Sequence, residues 1–236
     1  MSLYALPVQA RVGGAATPPG VQLAAGSESL AGQLDTTDAY RLALLRMKAH
    51  LSVARALLQI RAPGADYHLQ QALQGIFETV KSELKKRGAP FTADVLDQVG
   101  HATMGDPVTA LATIESAVTA VNGSFAQTGA MDRDSTLKLA GALLRAAVTN
   151  YSEAVQDNAV VDLRKYQSGR GFVTEAEALV RYSSQLKGRP GHDALLKAVV
   201  LIRQAWPGII PPPIVFDPQS VTARLDEAEA AMNELR

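Results

Sequence analysis

Apolar residues recur along most of this chain at spacings of three and four, the period of helices with one buried face. The longest such run covers residues 134–186 and reads as two helical arms joined by a turn. The first arm carries Leu137, Ala140, Leu144, Ala147, Val148, Tyr151 and Val155 on one stripe. Asp157-Asn158 breaks it, and Asp162 offers an N-cap for a second arm with Leu163, Tyr166, Phe172, Ala176, Leu179 and Tyr182 on its apolar side. With the turn near residue 158, Tyr151 and Tyr166 are expected at the same height on facing helices.

The same period predicts a helix over about 37–61, capped by Thr36 or Thr37 and striped by Tyr40, Leu44, Met47, Leu51, Ala54 and Leu58. Pro63-Gly64 ends it. A second helix, about 65–87, turns Leu69, Leu73, Ile76, Val80 and Leu84 inward and stops at Arg87-Gly88. A short helix over about 92–103 follows, and Asp106-Pro107 caps and starts one that runs to about 127, with Asn122-Gly123 as a kink or fraying point. After the central arms, Pro190 opens a helix to 206 with Leu195, Leu196, Val199, Ile202 and Trp206 apolar. In GIIPPPIVF three consecutive prolines remove three backbone donors, so this segment is expected to cross the bundle as an extended strap. Asp217-Pro218 repeats the cap-plus-proline device before a last helix to about 235. The expected fold is an all-α antiparallel bundle of about seven to eight helices over residues 36–236, with halves at 36–130 and 131–236. Residues 1–35, rich in Ala, Gly and Pro without a sustained period, read as a flexible arm.

Composition agrees with helices: 47% of residues are hydrophobic but only 5% aromatic, and Ala and Leu suit close helix packing better than a sheet. A chain of 236 residues buries roughly 70% of its unfolded surface and needs no staples. Basic and acidic residues balance at 23 each, so no global field attracts nucleic acid. The absence of cysteine removes disulfides, thiolate metal sites and thiol catalysis. No apolar run is long enough to span a membrane. No basic and apolar leader opens the chain, and its first residues fit a mature end from which a signal peptide has been removed.

Candidate chemistry is sparse. Gly-x-Ser-x-Gly, His-Glu-x-x-His and phosphate-binding glycine loops are missing. Two Ser-x-x-Lys spacings, at Ser82 and Ser135, lack their companion motifs. His50 lies on the inner stripe of the first helix and His68 in the first turns of the second. A flush antiparallel hairpin turning near residue 63 sets them about seven residues apart in height, roughly 10 Å at the helical rise, too far to share a metal. Gly75 then falls opposite His50 and makes room for its ring. His50 reads as a core histidine, with His50, His68, Glu78 and Glu83 as the weak metal candidates. His101 and His192 read as surface residues. Tyr151, Tyr166, Arg170 and Phe172 are candidates, with the two histidines, for lining a ligand pocket, against the plainer expectation of tyrosines packed in a helix interface.

The run NYSEAVQDNAVVDLRKYQSGRGF resembles a helix-turn-helix segment of uncharacterised helical periplasmic proteins of proteobacteria, and is similar to the periplasmic helical part of iron-permease-type transporters. The tyrosines, the turn and Gly171-Phe172 match that pattern. Asn150, Lys165 and Ser168 stand where the pattern has acidic residues. Relatives also carry His-x-x-His-Pro-x-x-Glu in the second helix; here His68 matches, while Gln71, Ala72 and Gly75 replace the rest. The resemblance implies a periplasmic location; with the missing catalytic motifs it leads to the expectation of a non-catalytic helical protein that binds a protein partner or small ligand, with no cofactor. The alternative it implies is an accessory of iron-type metal uptake with a His/carboxylate site between the first two helices.

Overall fold

The computed structural model describes residues 36–91, 93–102 and 106–236; the arm expected at 1–35 lies outside them. In chain order the elements are α1 (Thr36–Gln59), α2 (Ala65–Gln70), a π-helical segment (Gln71–Ile76), α3 (Phe77–Lys86), α4 (Ala93–Ala102), α5 (Pro107–Ala126) and α6 (Arg133–Ala154). Strands β1 (Val155–Gln156) and β2 (Ala159–Val160), α7 (Leu163–Tyr182), α8 (His192–Arg203) and α9 (Pro218–Glu234) complete it. The second expected helix is thus one continuous run with a π turn inside it, and the fold is an all-α bundle.

The α6–α7 pair is its spine. Asp132 caps α6 by accepting from Ser135 N at 2.7 Å, and Asp162 caps α7 by accepting from Lys165 N at 3.1 Å. Between them β1 and β2 pair antiparallel, Val155 opposite Val160, around Asp157 and Asn158, both left-handed at φ 51° and 57°. Asp and Asn tolerate that region better than other side chains, which is why the chain reverses here. Tyr151 and Tyr166 do face each other, with ring centroids 6.3 Å apart. Two expectations about caps change. Asp217 makes no side-chain cap bond although Pro218 starts α9. α8 starts at His192 rather than at Pro190, because Gly191 before it is left-handed at φ 87°.

Helix α1 is buried on two faces. Leu42, Leu45 and Ala49 join a core made with α6–α9, while Tyr40, Leu44, Met47, Leu51 and Leu57 join a second core with α2, α3 and α5. The chain after α8 ties the two together. Trp206 Nε1 donates to Tyr166 O at 2.8 Å, Tyr151 Oη donates to Phe216 O at 2.9 Å, and Val215 N donates to Asn158 O at 3.0 Å. Ile209 of this strap packs on the α1–α5 core while Val215 belongs to the other.

Gly169 lets α6, α7 and the Trp206 ring meet. A Cβ there would lie 2.8 Å from Trp206 Cζ2 and 3.0 Å from Ala147 O. Gly→Ala inside a helix usually stabilises by about 0.5–1 kcal/mol, but overpacking costs about 1–3 kcal/mol. Gly169→Ala is therefore expected to lower the thermal midpoint. Gly100→Ala, whose Cβ meets nothing within 4 Å, is expected to raise it slightly, and calorimetry on both variants checks the sign.

Candidate functional site

Helices α1, α2 and α7 bring His50, His68, Gln167 and Phe172 into one buried cluster. His50 Nδ1 lies 3.1 Å from His68 Nδ1, and His68 Nε2 lies 3.2 Å from Gln167 Oε1. With the Gln167 carbonyl accepting from His68 Nε2–H, the free lone pair of His68 Nδ1 accepts from His50 Nδ1–H, which fixes both tautomers. Phe172 meets the His50 ring edge-on at 5.4 Å, and Tyr67 meets His68 edge-on at 5.1 Å. Burial, then the His68 ring and the Arg46 guanidinium, hold His50 down to about 3. Burial also holds His68 down to about 4, opposed by the Gln167 hydrogen bond and Asp66. Both rings are neutral at pH 7.

This corrects the expected separation of roughly 10 Å. Arg61 and Gly64 are left-handed, at φ 54° and 103°, and they turn α2 so that its first turns lie against α1 and α7 instead of running back flush from residue 63. A Cβ on Gly64 would lie 3.5 Å from Gln167 Oε1, already beside α7. Gly75 falls in the π segment, where a Cβ would meet Gln71 Oε1 at 3.3 Å rather than the His50 ring.

Glu78 and Glu83 do not join the cluster. Glu78 pairs with Lys81, and Glu83 with Lys86 and Arg87, on the exposed face of α3. Arg87 also stacks over Tyr40, ten residues before His50 on α1 and so about 15 Å along the helix. Among the described residues no group of three or more His, Asp or Glu side chains is placed to hold a metal ion.

The other pocket candidates split up. Tyr151 and Tyr166 pack with Trp206 in the core, and their hydroxyls donate to the strap carbonyls of Phe216 and Gly208. Burial raises both phenols, Tyr166 to about 12, so both stay protonated. Arg170 is half-buried, with Nε unpartnered; burial and then Arg203 lower its pKa. His101 is exposed as expected, but His192 is buried, its Nε2 3.0 Å from Val180 O.

A cleft of about 210 Å³ opens between α1, α5, α7 and the 127–132 loop. Its wall contains an ion pair, Lys48 Nζ to Glu175 Oε2 at 2.9 Å. Burial raises the Glu175 pKa and Lys48 opposes the rise. Neither Lys48 nor Glu175 stood out in the sequence, although Glu175 falls at helical spacing from Phe172 and Leu179, and a charge on an apolar stripe is the signal that finds such a pair.

Helix α7, which supplies Gln167, Phe172 and Glu175, and the strap both fall within one family match. Residues 126–236 match the iron permease-associated 4-helix bundle domain. The span contains α6 to α9, the four helices around Trp206. No curated protein and no solved structure matches the chain. His50, His68 and Lys48 lie outside the 4-helix bundle domain, so the histidine cluster and the cleft both straddle its border. No described helix is long and apolar enough to cross a membrane.

Proposed function

We propose that this protein is a non-catalytic periplasmic accessory of iron permease-type metal uptake that works by contact with a protein or small ligand. The match of residues 126–236 to the iron permease-associated domain carries this reading. The hairpin and strap, joined by the Val215–Asn158 hydrogen bond, support the contact role: they leave Val161, Ile214 and Phe216 exposed on the segments that this bond joins. Grouped exposed apolar side chains mark contact surfaces. Cells lacking the gene are expected to take up less iron from limiting medium, and the full chain restores uptake. Ile214→Asp, at a position 78% exposed, leaves folding unchanged and fails to restore it. Equal uptake with and without the gene contradicts the role in transport, and full rescue by Ile214→Asp contradicts this contact surface.

A second reading has one observation in its favour. The facing Nδ1 atoms of His50 and His68 are metal-ligand groups once the proton on His50 Nδ1 moves to its Nε2, which leaves a lone pair on each. Two neutral imidazoles without a carboxylate fall short of the three or four protein ligands usual for zinc-like ions, so the contact reading is preferred.

A further inference from the structure

The cleft between α1, α5 and α7 contains a feature that folding alone does not explain. A mostly buried ion pair contributes little to stability, and apolar residues of similar volume often serve as well or better. Lys48 and Glu175 nevertheless sit in a mostly apolar wall that includes Leu45, Phe125, Met131 and Leu179, with Asn122 and Ser183 as its small polar residues. The two charges are unequally placed. The Glu175 side chain is 7% exposed and the Lys48 side chain 27%, so Lys48 is the more accessible partner of the two. An ammonium has three N–H donors. Glu175 accepts one, and among the described residues Lys48 has no other hydrogen-bond partner.

The cleft is also preformed. Arg41 donates from Nε to Thr128 Oγ1 at 2.9 Å and from Nη2 to Thr128 O at 3.0 Å, and its Nη1 is held by Asp38 Oδ1 at 3.2 Å. This fixes the loop that carries Met131. Tyr182 stands at the rim, 81% exposed. The volume is below the roughly 300–1,000 Å³ of drug-sized ligand sites, which limits the occupant to a single ring or a short alkyl chain.

We infer that this cleft binds a small apolar monocarboxylate, its hydrocarbon body against Leu45, Phe125, Met131 and Leu179 and its carboxylate oxygens accepting from the spare N–H groups of Lys48. Glu175 acts as a positioning residue that holds the ammonium in the wall. An amine is opposed by the like charge of the more accessible Lys48, and an alcohol makes no charge-assisted bond. The inference uses neither the histidine pair nor the role in metal uptake, so it stands or falls separately from them.

Calorimetric titration of the full chain with octanoate, octanol and octylamine tests it. Octanoate is expected to bind roughly tenfold or more tighter than octanol, the value of a hydrogen bond to a charged group, and octylamine not to bind. The double variant Lys48→Met/Glu175→Leu, which leaves no unpaired buried charge, is expected to lose that preference for octanoate over octanol. Ala178→Phe, which fills the cleft, abolishes binding of both, with the fold of each variant checked by its thermal midpoint. Absence of octanoate binding, no preference over octanol, tighter binding of octylamine, or an octanoate affinity unchanged in either variant overturns the inference.

Discussion

Trp206→Ala is expected to destabilise the protein by about 3–5 kcal/mol, the usual cost of deleting a large buried aromatic. Trp206 is fully buried, its ring meets Tyr151 edge-on at 4.9 Å, and its Nε1 is held by Tyr166 O. Removing it empties the space that Gly169 leaves for the indole and takes away one bond between α7 and the chain leading into the strap. For a chain of this size each kcal/mol shifts the thermal midpoint by roughly 2–4 °C, so a fall of about 10 °C is expected. Trp206→Phe retains part of the packing, loses the hydrogen bond and some ring volume, and is expected to fall less. A Trp206→Ala variant that melts with the wild type would mean that the indole is not the centre of this core.

Mild acid is expected to weaken the fold through the histidine pair. Both rings titrate lower in the folded protein than the ordinary 6.5, with burial the main cause. The unfolded chain therefore takes up protons that the folded chain refuses. The contribution of the neutral pair is complete above pH 6.5 and is lost as pH falls toward about 4, where His68 accepts a proton, and about 3, where His50 does. The slope is about 1.4 kcal/mol per pH unit for each histidine. The charged groups around the pair sharpen the effect: among the described residues Arg46 and Arg164 oppose protonation and Asp66 favours it. Urea unfolding at pH 7, 6 and 5 measures the slope. His50→Leu/His68→Met, which replaces both partners at once, is expected to flatten it. The hydrogen-bonded carboxylates Asp106 and Asp132 have lowered pKa values, so their contributions fade at more acidic pH and cancel between wild type and variant.

The helices were legible in the sequence because their signals are local. Asp106-Pro107 and Asp162 each put a short polar side chain ahead of an apolar stripe, and both cap a helix in the structure. The facing of Tyr151 and Tyr166 followed from one turn position and the helical rise. The histidine pair was not legible, because its geometry depends on the angle at which α2 leaves a loop with two left-handed residues, and neither Arg61 nor Gly64 reveals that angle in one dimension. Gln167 was hidden for the same reason: its partner is 99 residues away in the chain. The two-sided burial of α1 escaped a reading based on one stripe per helix, and with it the Lys48–Glu175 pair at the seam.

The proposed function has this bundle act by contact and not by gripping an ion. Metal content after anaerobic loading with ferrous iron or with zinc, followed by desalting, tests it most directly, on the wild type and on His50→Ala. The expected result is substoichiometric metal that does not differ between the two. Stoichiometric metal in the wild type that disappears in His50→Ala would contradict the claim and make the histidine cluster the working site.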